Sequence, residues 1–112
     1  MHFSHEQNGN VIVVATHVDK LDAVNAPELK ALFTHLNKNG HNQIVLDLHE
    51  TKYCDSTGLS AILIANRLCK DTNGSFALCG LQANVSKMIA IAQLDKVLSI
   101  SSNKEEALAL IQ

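Results

Sequence analysis

Two hydroxyl residues, an acid and a glycine stand together at Asp55-Ser56-Thr57-Gly58, directly before an apolar run that opens at Leu59. Upstream lies the strand-like Ile44-Val45-Leu46-Asp47-Leu48, so the cluster falls where a loop enters a helix. The first N–H groups of a helix have no internal partners, and the aligned peptide dipoles leave about half a positive charge there. Hydroxyls at such a place can carry a phosphate, or help to bind one. Asp, Ser and Thr are also common N-cap residues, so an ordinary helix start has the same composition. Nucleophilic catalysis by Ser56 or Thr57 would need a positioned base, and neither a G-x-S-x-G elbow nor a G-x-x-x-x-G-K-[ST] phosphate loop occurs. The cluster points to a binding protein, not to an enzyme.

Other chemistries find less support. His2, His5, His17, His35, His41 and His49 show no H-x-x-x-H spacing, and Cys54, Cys69 and Cys79 no C-x-x-C, so no metal and no cofactor is expected. The charge of Asp55 opposes thiolate formation at Cys54, while Cys69 and Cys79 read as small apolar filler in a helix and a strand. An odd number of cysteines fits a reducing cytoplasm, and Met1 to Gln7 lacks the positive start and apolar stretch of a signal peptide.

The elements that must position the cluster follow from periodicity. Asn8-Gly9 separates His2 to Gln7 from Val11 to Thr16 and supplies the positive φ of a tight hairpin turn. Asn25 with Glu28 reads as a capping box, Pro27 suits a first turn, and Leu29, Leu32, Phe33 and Leu36 trace one face of a helix ending at Gly40. Ile44 to Leu48 is the continuous apolar strand of a sheet covered on both faces. From Thr57 to Lys70 the period is helical again, with Leu59, Ala61, Ile62, Leu63, Ile64, Ala65 and Leu68 wider than one core stripe requires, as if some of that surface served a partner. A turn at Asp71 to Ser75, a strand Phe76 to Cys79, a helix Asn84 to Ala92 and a strand Val97 to Ile100 follow. Ser102 with Glu105 then opens a last helix carrying Ala107, Leu108 and Ile111. The order ββαβαβαβα predicts an α/β fold with a mixed, mainly parallel sheet and right-handed crossovers, filling one domain over residues 1–112.

Composition sets the outer limits. With 112 residues, 46% hydrophobic, the chain suits one globular core. Its formal net charge of −2 and its only arginine, Arg67, leave no basic field for a nucleic acid. The apolar runs Val11 to Ala15 and Ala61 to Ala65 are far shorter than the ~18 residues of a membrane span, so no direct membrane insertion is expected.

The stretch Asp55-Ser56-Thr57-Gly58-Leu59 resembles the Asp-Ser-Ser-Gly-Leu signature of STAS domains, the sulphate transporter and anti-sigma factor antagonist family. Leu21-Asp22-Ala23-Val24-Asn25-Ala26-Pro27-Glu28-Leu29 is similar to the family's segment leading into helix one. Leu94-Asp95-Lys96-Val97 and Glu105-Glu106-Ala107-Leu108 resemble its C-terminal end. The likeness spans essentially the whole chain. It implies a phosphorylation switch: unmodified, a surface of Asp22, Asp55, Ser56, Thr57, Gly58 and Leu59 binds an anti-sigma factor serine/threonine kinase, and phosphate on Thr57, rather than Ser56, ends that binding. A PP2C-type phosphatase is implied as the resetting partner. The same resemblance admits an alternative, the small STAS subunit of an ABC-type lipid transporter, binding an ATPase subunit through the same helix. The chain departs from the pattern at Asp19-Lys20-Leu21-Asp22, where many relatives read Gly-Glu-Leu-Asp, at Ser60, where many have Gly, and at Thr57, where Ser is usual.

Overall fold

The computed structural model describes residues 2–111; Met1 and Gln112, the two ends of the expected domain, lie outside the described residues. Strands β1 (Phe3–Asn8) and β2 (Val11–Thr16) form the antiparallel hairpin, in register from Phe3 opposite Thr16 to Asn8 opposite Val11. Asn8 therefore stays in the ladder, and the turn is Gly9-Asn10, with positive φ at Gly9 alone instead of across Asn8-Gly9. The chain continues through β3 (Lys20–Leu21), α1 (Ala26–Lys38), β4 (Gln43–Asp47), β5 (Tyr53–Cys54) and α2 (Ser56–Asp71). It closes with β6 (Ser75–Cys79), α3 (Ala83–Ile91), a 3-10 turn at Leu94–Lys96, β7 (Ser99–Ser101) and α4 (Lys104–Ile111).

The main sheet has the order β1-β2-β4-β6-β7, and every pair except β1 with β2 is parallel. Alternate side chains of the central strands enter two cores, as the period of two demands. Ile12, Val14, Ile44, Leu46, Phe76 and Leu78 meet the larger core, with Leu29 and Phe33 of α1, Ile62 and Ala65 of α2, and Val85 and Ile89 of α3. Val11, Val13, Val45, Ala77 and Cys79 point the other way and pack on Ala107 of α4. Phe33 meets Phe76 edge-to-face at 6.0 Å across the larger core. Three helices on one face and one on the other make the continuous apolar character of β4 necessary.

Several local expectations are corrected. Asn25 stands before α1 but makes no side-chain cap; its amide bridges the Asp22 N–H and the Lys20 carbonyl instead, so the Asn25–Glu28 box does not form. The last helix is capped one residue later than Ser102: Asn103 accepts the Glu106 N–H at 2.9 Å, and Glu106 reaches back to the Ser102 N–H. The 3-10 turn takes Val97 out of the last strand, which runs from Ser99 to Ser101. The two-residue strands β3 and β5, paired in parallel, had no counterpart among the expected elements.

Candidate functional site

The start of α2 is fixed by Asp55. Its backbone is extended, and its carboxylate accepts the Gly58 N–H at 2.9 Å while its carbonyl accepts the Leu59 N–H at 3.0 Å. One of the orphan donors of the first turn is thereby satisfied. Ser56 and Thr57 are the first two helical residues, Ser56 exposed and Thr57 half-buried, both at the positive end of a 16-residue helix. Gly58 must be glycine. A Cβ there would collide with the Leu21 carbonyl oxygen and lie 2.7 Å from Cys54 Sγ, so only a residue without a side chain lets the helix sit this close to β3 and β5. Gly58 and Leu59, expected on the partner surface, are buried; they seat the first turn and leave contact to their neighbours.

Asp22 reaches the same place through the short ribbon. Leu21 pairs with Cys54 in parallel register, and the Asp55 N–H donates to the Leu21 carbonyl at 3.2 Å, so Asp22 and Asp55 are the adjacent residues just beyond a paired position. With Lys20, Tyr53 and Cys54 they line an open recess of about 440 Å³. Asp22 does not cap α1. Its carboxylate accepts the Val24 N–H at 3.0 Å and its carbonyl accepts the Asn25 and Ala26 N–H groups, which folds residues 22–25 into a tight turn ahead of the helix. The buried Asn25 amide holds that turn from below, donating to the Lys20 carbonyl at 2.8 Å.

Most of the apolar arc of α2 is interior, with Ile64 half-buried outside both core clusters. Along α2, Ala61, Ile62 and Ala65 are buried, and Leu63 and Leu68 pack against the core. The exposed apolar groups near the acids are Val24, 86% exposed on the Asp22 turn, and Tyr53, 49% exposed with Lys20 Nζ over its ring at 6.0 Å. Neither belongs to a periodic run; the signal for Val24 was the short Ala23-Val24 pair between the turn formers Asp22 and Asn25. Cys54, at the floor, is no nucleophile: burial first, and Asp55 second, push its thiol up to about 12. Burial also pushes Cys69 up to about 11 and, with Asp47, Cys79 up to about 12. Among the described residues no three His, Cys, Asp or Glu side chains converge in a metal-holding group, and no helix is long and apolar enough to cross a membrane.

A model of the STAS domain family matches residues 2–107. The chain is 26% identical over 89 residues to BtrV of Bordetella bronchiseptica, whose name places it among anti-sigma factor antagonists, covering 80% of this chain and 77% of BtrV. A crystal structure of a Thermotoga maritima protein, named in the same class, superposes with a TM-score of 0.89 at 24% identity over 97% of this chain and 93% of that one. The anti-sigma factor antagonist SpoIIAA in its unphosphorylated form superposes with a TM-score of 0.81 at 19% identity, covering 95% of this chain and 92% of SpoIIAA. SpoIIAA of Bacillus has also been solved in a phosphorylated form, which superposes with a TM-score of 0.75.

Proposed function

Because the chain belongs to the STAS domain family, we propose that it acts as an anti-sigma factor antagonist, a non-enzymatic protein switched by phosphate on Thr57. Unmodified, the surface of Asp22, Asp55, Ser56 and Thr57 engages an anti-sigma factor serine/threonine kinase; phosphorylated, it lets the kinase go, and a PP2C-type phosphatase resets it. One observation carries this reading: the β3–β5 ribbon sets Asp22 beside Asp55, and Asp55 caps the helix on which Thr57 occupies the first turn.

The magnitudes favour a switch at the surface over a switch of folding. A phosphate of charge about −2 in the first turn of α2 stabilises that helix by roughly 0.3 to 2 kcal/mol, so the domain stays folded when modified. Against a partner the same group must shed water next to Asp55 and Asp22, and a thousandfold loss of affinity requires only about 4 kcal/mol. Incubating the protein with an anti-sigma factor kinase and ATP, followed by peptide mapping, tests the assignment. Phosphate is expected on Thr57 and absent from the Thr57→Ala variant; label on Ser56, or undiminished label in that variant, counts against it.

A further inference from the structure

Outside the recess at the start of α2, three side chains from separate segments form an unbroken hydrogen-bonded chain. Ser4 Oγ on β1 lies 2.7 Å from His17 Nε2, and His17 Nδ1 lies 2.8 Å from Glu50 Oε2. A carboxylate on Nδ1 keeps the imidazole proton there, which leaves Nε2 free to accept the Ser4 hydroxyl proton. The backbone holds each member in place. Ser4 is paired with Ala15 in the hairpin ladder, and the His17 N–H donates to the His2 carbonyl at 2.7 Å. The loop carrying Glu50 is pinned by the buried Thr16–Thr51 hydroxyl contact at 2.6 Å and by the Thr51 hydroxyl on the Val18 carbonyl at 2.8 Å. Ser4 is half-buried and borders a recess of about 250 Å³ whose walls include Val13, Ala15, Asp47 and Lys104.

We propose that Ser4 is a nucleophile, activated by His17 and oriented through Glu50, that accepts an acyl group from small activated acyl donors such as thioesters or acyl phosphates. The Oγ–C bond forms as the bond from the acyl carbon to its leaving group breaks. The hydroxyl proton passes to His17 Nε2 and from there to the departing thiolate or phosphate, with no change of oxidation state. The His17 and Glu50 side chains are 32% and 45% exposed, so water screens the developing charge and confines the reaction to donors with good leaving groups. The recess admits a short acyl chain. The product is an ester on Ser4, a stoichiometric modification of a binding protein and not a turnover reaction.

Brief exposure to p-nitrophenyl acetate, with p-nitrophenolate release followed by absorbance and the acetyl group located by mass spectrometry, tests the proposal. Ser4 is expected to be acetylated well ahead of the exposed Ser99 and Ser102, and the fast phase is expected to vanish in Ser4→Ala. His17→Gln should slow the phase by on the order of 10²-fold. Glu50→Gln, which alters only an exposed loop side chain, should slow it too, with far-UV circular dichroism unchanged. Acetylation of Ser4 no faster than that of Ser99 and Ser102, or at the wild-type rate in folded Glu50→Gln, would overturn the assignment.

Discussion

At the scale of single residues, Asp22 separates two roles that its surroundings make distinguishable. Its carboxylate tightens the turn by accepting the Val24 N–H, a contact that Asn can also make. Asp22→Ala should therefore cost about 0.5 to 2 kcal/mol of stability, by analogy with a lost cap, whereas Asp22→Asn should melt like the wild type yet bind an anti-sigma factor kinase with altered affinity. Calorimetric melting and binding on the same samples check both, and unaltered binding by Asp22→Asn would leave Asp22 a purely local turn residue. The three buried thiols make a second prediction. Their values of about 12, 11 and 12 for Cys54, Cys69 and Cys79 lie above the ordinary 9.0, so the folded state holds these protons more tightly than the unfolded chain does. The sign follows: their contribution is complete below about pH 9 and is lost as pH rises from there toward 11 to 12, by up to about 1.4 kcal/mol per pH unit for each thiol. Urea titrations between pH 7 and 11 should show stability falling on the alkaline side, with a shallower fall in a variant carrying Ala at the three positions. The helix start at Ser56 and Thr57 was legible because hydroxyls before a glycine are a local pattern; the exposure of Val24 and Tyr53 was not, because exposure depends on which residues the rest of the chain covers.

At the scale of elements, periodicity revealed what had enough length to carry it. The β1–β2 hairpin was marked by its turn dipeptide, β4 by a continuous apolar run, and α1 and α2 by a repeated apolar period, and the structure places all four where those patterns did, to within a residue or two at their ends. The ribbon of β3 and β5 escaped notice because two residues hold no period, and its pairing joins segments more than thirty residues apart. That ribbon nevertheless sets Asp22 beside Asp55 at the candidate site. The wide apolar arc of α2 has a related cause: the helix packs on both α1 and β6, so most of the arc is interior, with Ile64 left half-buried. Gly58 marks where the ribbon and α2 meet. Gly58→Ala would gain up to about 1 kcal/mol of helix propensity, but its methyl meets the Leu21 carbonyl, which cannot rotate away. The clash outweighs the gain, and a net loss of roughly 1 to 2 kcal/mol is expected from overpacking typically costing 1 to 3. Chemical denaturation checks this, and a variant more stable than wild type would show that the close approach of α2 to β3 is not required.

At the scale of the whole molecule, the sheet and its two cores form a frame, and the proposed switch is a surface event on one rim of it. The parallel strands β2 and β4 deliver their following segments to the same edge, the usual place where an open parallel sheet gathers functional groups. Nothing at the start of α2 needs to move for a phosphate on Thr57 to change what that rim can bind, since Asp55 and Gly58 already hold the first turn. Phosphate on Thr57 is therefore expected to change binding without changing folding. Titration calorimetry of an anti-sigma factor kinase against the unmodified and the Thr57-phosphorylated protein, with melting curves of both forms, tests this directly. An affinity lowered by about three orders of magnitude, some 4 kcal/mol, is expected between two forms whose melting temperatures nearly coincide. Equal affinities, or a phosphorylated form that has lost its cooperative melt, would contradict it.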